Sequence, residues 1–511
     1  MLSPAGILRA LGFLWLGVFV TEGVHAQTSA PSSTETAPSA TQSHAAPQAA
    51  DAIRLPVDAT THHTLELPGR TLHFTATAGS IRLRDDRNTP QADVAFVAYQ
   101  IDGADKQTRP VTFAINGGPG MASGWLQVGA LGPWRVPLGG ASGPPPGSPA
   151  PIPNADTWLD FTDLVFIDPP GTGYSRILAS GNAGEKRFWS VRGDIDMLSE
   201  VVRRWLDHND RIVSPVYVLG ESYGAFRAPR LTRALQSTQG VGVAGMVLVS
   251  PMLDTHNESG LTDPFGWVDR LPSEVAAARA LKGPVTRADV ADAEQYAATD
   301  YLLDLVRGEH DTAALDRLAT RVAALTGLDP ALVGRYHGRL DTDVFLHELG
   351  RAQDRVASTY DATITRADPF PHRPLSAYPD PVLEGFQVPI TAAMVAIYTE
   401  KLNWRPDGVY RLENATAFAQ WDWGHGMGRP ESLTALQDAL SLDPRLRVLI
   451  AHGLFDLRTP YFTSERTLRA LPDVGAPNRV RLSVYPSGHV LYSDDASRAA
   501  FRRDAQALFG D

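Results

Sequence analysis

Val218-Leu219-Gly220-Glu221-Ser222-Tyr223-Gly224-Ala225 is the stretch on which the fold turns. Apolar Val218 and Leu219 run into Gly-x-Ser-x-Gly, the pattern of a strand that bends sharply into a helix with serine at the apex. Gly220 and Gly224 carry no Cβ, so strand and helix can pass close together around a strained turn. Such a turn lifts the Ser222 hydroxyl above the sheet and leaves it open to substrate. A chance match in a loop is the plain alternative in a chain with 44 glycines. The apolar lead-in and the following Ala228-Pro229-Arg230-Leu231-Thr232-Arg233-Ala234-Leu235 supply the strand and helix that the turn requires.

Outward from this motif, further buried strands come into view. Val111-Thr112-Phe113-Ala114-Ile115 and Leu164-Val165-Phe166-Ile167 precede it; Gly245-Met246-Val247-Leu248-Val249 and Arg447-Val448-Leu449-Ile450-Ala451 follow. Unbroken apolarity over four to six residues suits strands covered on both faces, as in parallel sheets. A helical pattern over Asp194 to Asp207 separates two of them, so an α/β sheet is expected. Alternating runs from about Leu65 to Tyr99 read as antiparallel strands. Between about 254 and 386 the texture changes. Glu274 to Lys282, Arg287 to Arg307, Thr312 to Thr326 and Thr342 to Val356 have helical periodicity, with no convincing strand between them. Because sheet strands resume afterwards, this segment reads as a helical insertion within one catalytic domain over 51–511. Gly139 to Pro153 reads as a long loop near the site.

The composition fits that picture. With 511 residues, 43% hydrophobic and 20% charged, the chain can build a large core. A formal net charge of −11, without a basic cluster, argues against a nucleic-acid partner. The absence of cysteine excludes disulfides, thiolate nucleophiles and thiolate metal sites. At the N-terminus, Arg9 precedes the apolar run Leu11 to Val20, and Val24-His25-Ala26 offers a small-residue cleavage site. Residues 1–26 are therefore expected to be an export signal, and 27–50 a Ser/Thr/Ala/Pro-rich spacer. The apolar run is too short for a settled membrane anchor. The expected location is the periplasm or the medium, with no membrane span after cleavage.

A serine hydroxyl needs a histidine to take its proton, and the histidine needs an acid to fix its tautomer. Asp456, in Gly453-Leu454-Phe455-Asp456, is the best acid; His489, in Ser487-Gly488-His489, is the best base. Each follows a strand-like run, where α/β sheets hold their sites. The order Ser…Asp…His also matches this architecture. His452 is too near Asp456 in sequence to be its evident partner, and His425 has no acid after it. The amide of Tyr223, directly after the serine, is one candidate oxyanion donor. A second is expected from the glycine-rich turn Asn116-Gly117-Gly118-Pro119-Gly120, which follows an early strand.

These blocks, with Phe166-Ile167-Asp168-Pro169-Pro170-Gly171-Thr172-Gly173-Tyr174-Ser175, resemble the serine carboxypeptidase family, peptidase family S10, and its bacterial branch most. The resemblance implies an α/β-hydrolase fold with a helical lid, action on peptide substrates, and no metal or organic cofactor. It implies an oxyanion hole of Gly118 and Tyr223. It also implies that Asn116 and Glu221, helped by the backbone of Gly117, bind the free carboxylate of the substrate. Two carboxylates repel, so Glu221 must then be protonated, which favours acid pH.

The chain departs from the family at three places. Ala130 stands where vacuolar and lysosomal members carry a glutamate that partners the binding glutamate. Met121 replaces a cysteine, as in a cysteine-free bacterial form; Val490 replaces a methionine, which alters the pocket for the last residue, so side-chain preference does not transfer. An esterase, an acyltransferase or a proline-releasing aminopeptidase on the same fold is the rival within the enzyme class. A catalytically silent binding protein is the rival outside it.

Overall fold

The computed structural model describes residues 54–140, 143, 147–255, 263–375, 378–424, 430–472, 474–475 and 478–510. The expected export signal over 1–26, the expected spacer over 27–50 and His425 lie outside the described residues.

Among the described residues, nine strands run in succession across the main sheet: β1 (Ala59–Leu67), β2 (Arg70–Arg84), β3 (Pro90–Ile101), β4 (Val111–Ile115), β5 (Asp163–Ile167), β6 (Val216–Glu221), β7 (Gly245–Val249), β8 (Arg447–Gly453) and β9 (Val480–Tyr485). Their spatial order is β1-β2-β3-β5-β4-β6-β7-β8-β9, with residues 176–177 adding a short pairing to β3. β1, β2, β3 and β5 pair antiparallel, and every neighbour from β5 to β9 runs parallel. β1 begins at Ala59, six residues before the alternation becomes apolar enough to read.

β4, β5, β6 and β7 are buried at every position. Alternate side chains feed two cores. Ala114, Leu219 and Val247 enter one, whereas Phe113, Val218 and Leu248 enter the other. Helix α1 (Val191–His208) and helix α2 (Tyr223–Ala234) cover the second face, with Trp205 edge-on to Phe113 at 5.4 Å. Helices Leu383–Ala396 and Asp495–Gly510 cover the first through Phe386, Ile390, Phe501 and Ala505. A helix–sheet–helix sandwich results, the α/β-hydrolase fold.

Residues 265–349 build a third core that includes Leu454, Phe455, Tyr461 and Phe462, the segment directly after β8. Ion pairs fasten the two parts: Arg466 to Asp269 at 2.8 Å and Arg287 to Glu465 at 2.9 Å. The helix expected over Thr342 to Val356 stops at Gly350, and 355–357 instead pair antiparallel with 365–367. A side chain at residue 350 would collide with the Arg355 carbonyl, so the backbone doubles back there. Among the described residues, no helix is long and apolar enough to cross a membrane.

Candidate active site

The turn after β6 is built by steric necessity. A Cβ at residue 220 would collide with the Gly224 carbonyl, and one at residue 224 with the Ile115 carbonyl. Ser222 sits between them at φ 59°, ψ −120°, a conformation that a non-glycine residue adopts only when its surroundings impose it. Its amide is fixed on Val249 O at 2.8 Å, at the end of the neighbouring strand β7.

Asp456 lies fully buried in the loop after β8. It accepts the Arg458 and Thr459 amides on Oδ1, at 2.8 and 2.9 Å. Oδ2 accepts the Thr459 hydroxyl at 2.8 Å and lies 2.8 Å from His489 Nδ1. These bonds fix the tautomer that places the proton on Nδ1 and leaves Nε2 free to act as a base. His489 follows β9; its amide bonds Tyr360 O at 2.5 Å, and Ser250 Oγ holds its carbonyl at 2.8 Å. The Tyr360 ring stands edge-on to the imidazole at 5.2 Å. Burial pushes the imidazole pKa down, but the charge and hydrogen bond of Asp456, with Glu221 adding, carry it above its ordinary value.

Ser222, His489, Glu221, Asn116 and Gly118 line one cavity of about 180 Å³. No hydrogen bond joins Ser222 to His489 among the described residues. Neither the Gly118 nor the Tyr223 amide has an acceptor among them. Glu221 is 3% exposed, and Oε2 accepts Asn116 Nδ2 at 2.8 Å and the Tyr492 hydroxyl at 2.6 Å. Burial pushes its pKa up to about 7; these two donors and His489 act in the opposite direction. The Gly117 amide is engaged by Asn116 Oδ1 at 2.7 Å, and Gly117 does not line the cavity. Trp125, Met121, Val382, Leu383 and Val490 make the remaining walls largely apolar, while Arg458 and Glu413 add charge.

Arg227 braces the site from behind. It pairs with Asp194 at 2.7 Å, donates to Asn116 O and lies over the Tyr223 ring at 4.7 Å. His452 is turned away on β8, with Nε2 2.7 Å from Ser464 Oγ; burial lowers its pKa to about 4. Among the described residues, no cluster of three or more histidine, cysteine or carboxylate side chains could hold a metal ion.

Sequence reasoning missed Thr459, Tyr360 and Tyr492. Thr459 had a readable signal, since an Asp followed by turn residues commonly accepts the amides two and three positions on. Tyr360 and Tyr492 reach the site only through tertiary packing.

Residues 68–301 match the serine carboxypeptidase family model. Relatives of the same description support that family. The chain is 30% identical over 179 residues to serine carboxypeptidase-like 41 of Arabidopsis thaliana, covering 33% of this chain and 35% of the relative. It is 26% identical over 176 residues to a carboxypeptidase Y homolog of Arthroderma benhamiae, covering 32% and 31%. The chain thus spans about a third of the length of these curated relatives. The crystal structure of a prohormone-processing carboxypeptidase from Saccharomyces cerevisiae aligns with a TM-score of 0.50 at 13% identity, over 84% of this chain and 92% of that one. At that identity the likeness concerns the fold.

Proposed function

We propose that the protein is a serine carboxypeptidase that releases the C-terminal residue of a peptide through an acyl-enzyme on Ser222. The observation that carries the reading is the buried pair Asn116–Glu221 beside Ser222, in the cavity that His489 also lines. A protonated Glu221 donates a hydrogen bond to the terminal carboxylate of the peptide, and Asn116 offers its second amide hydrogen. Gly117 joins that grip by exchanging Asn116 Oδ1 for the substrate. A free carboxylate is thereby placed one residue from the nucleophile, the spacing that selects the last peptide bond.

In this scheme Ser222 Oγ attacks the last peptide carbonyl carbon, and its proton passes to His489 Nε2. The Ser222–His489 hydrogen bond forms with substrate in place, as such bonds commonly tighten in the complex. The Gly118 and Tyr223 amides receive the oxyanion. His489 then gives its proton to the leaving amine, and the C–N bond breaks. Water attacks the acyl-enzyme, His489 takes its proton, and Ser222 is restored with the shortened peptide released. Asp456 keeps Nδ1–H in place throughout.

We also place the chain in the bacterial branch of the family, on its lack of cysteine and on Met121. We place the protein outside the cytoplasm, periplasmic or secreted, on the apolar run after Arg9; a mature protein beginning at Gln27 is the expected result of N-terminal sequencing.

Peptides with a free C-terminus and the same peptides C-terminally amidated test the activity. Mass loss of the last residue from the free acids alone, abolished in Ser222→Ala, is expected. Equal turnover of the amides, release from the N-terminus, or cleavage confined to esters overturns the carboxypeptidase reading. Fluorophosphonate labelling of the parent but not of Ser222→Ala separates an enzyme from a silent binding protein.

A further inference from the structure

Both donors to Glu221 converge on one oxygen, Oε2, and Oε1 takes no hydrogen bond among the described residues. Tyr492 is the less expected of the two. It is fully buried on the short turn Leu491–Ser493, three residues after His489. Gly129 makes room for its ring, since a Cβ there would lie 2.5 Å from Tyr492 Cε2. The adjoining Ala130 is the position at which the family resemblance leads one to expect a glutamate. A phenol thus donates to the buried Glu221 carboxyl in a chain that carries alanine, not glutamate, at residue 130.

We propose that Tyr492 is a positioning residue for recognition of the substrate carboxylate: its hydroxyl anchors Glu221 Oε2, so that Oε1 carries its proton towards the substrate. The inference rests on the reading of Glu221 given above and adds a residue that sets the pH range of that grip. The chemistry differs from that of a carboxyl pair. Two carboxyls can share one proton, which keeps one of them neutral. A phenol with its pKa raised well above 10 by burial does not release its proton at physiological pH and only donates. Donation to Oε2 favours the ionised form of Glu221, acting with Asn116 against the effect of burial. The charged groups facing Glu221 are His489 and Asp456, and Arg458 and Glu413 line the same cavity. Removal of the Tyr492 hydroxyl should therefore extend peptide binding to higher pH rather than restrict it.

The test compares the parent, Tyr492→Phe and Glu221→Gln by pH profiles of kcat, KM and kcat/KM. One substrate is a free-acid peptide; the other is an ester that lacks the carboxylate. For the free acid, kcat/KM of the parent falls on the alkaline side near pH 7, through KM. In Tyr492→Phe that limb moves upward by about one pH unit, the size expected for losing one hydrogen bond to a buried charged group. Glu221→Gln lacks the limb because its side chain does not ionise, and the ester lacks it in all three proteins. If the limb persists in Glu221→Gln, the role of Glu221 itself fails. If Glu221→Gln abolishes the limb but Tyr492→Phe leaves it in place, moves it downward or lowers kcat/KM equally at every pH, the Tyr492 proposal is overturned alone.

Discussion

Replacement of Arg227 by methionine should damage both the fold and the site, and the structure sets the size of the effect. The Arg227 and Asp194 side chains are 0% and 1% exposed. Arg227 Nε and Nη2 donate to the two Asp194 oxygens at 2.7 and 3.3 Å, and Nη1 donates to the Asn116 carbonyl. Methionine leaves Asp194 as a buried, uncompensated carboxylate, which costs about 3–5 kcal/mol. The unpaired Asn116 carbonyl adds about 1 kcal/mol. The sum, about 4–6 kcal/mol, is a large share of a typical folding free energy. The double variant Asp194→Leu/Arg227→Met removes both charges and should recover at least half of the loss, because an apolar pair of similar volume often replaces a buried ion pair at little cost. Burial already holds the Asp194 carboxyl above the usual range, and the guanidinium opposes that rise. Without it, folded Asp194 binds a proton more readily than the unfolded chain does. The stability of the single variant should thus increase as pH falls, while the double variant shows no such gain from this site. Urea denaturation at several pH values, followed by tryptophan fluorescence, measures these quantities. A single variant that costs less than about 1 kcal/mol, or a double variant no more stable than the single one, would refute the reasoning.

Three further outcomes are expected. Asp456→Asn keeps acceptor geometry but loses the charge and the tautomer control of His489, so kcat should fall by roughly 10³–10⁴ with KM little changed; a loss below tenfold in steady-state kinetics argues against the assigned role. Gly220→Ala places a Cβ against the Gly224 carbonyl and should cost more than about 3 kcal/mol, so a circular-dichroism melt matching the parent contradicts the turn geometry. In the proposed mechanism His489 accepts the Ser222 proton only when neutral, and its pKa is raised, so ester hydrolysis should climb with pH through a midpoint above that of free imidazole; a profile already flat at pH 6 is the contrary result.

What sequence alone made legible tracks how local each signal is. The strands at 111–115 and 245–249 are short apolar runs buried on both faces, and their bounds agree with the structure. The helix Thr312–Thr326 also agrees, from Asp311, whose side chain caps the Ala314 amide, to Gly327 in a left-handed conformation. Residues 355–357 escaped notice because a three-residue pairing leaves no periodicity, and apolar spacing carried the helical pattern past Gly350. Ser222 announces itself through two glycines that sterics require. Tyr492 does not, since its partner Glu221 lies 271 positions away and only packing on Gly129 brings them together.

The order of the strands assigns the site's components unequal security. Ser222 leaves β6, an interior strand buried at all six positions, whereas His489 leaves β9, an edge strand whose first five residues stay partly or fully exposed. Marginal strands open locally at less free energy than central ones. In the proposed mechanism the proton acceptor is thus mounted on an edge rung of the sheet and the nucleophile on an interior one. Mild denaturing stress should silence turnover while the polypeptide remains folded.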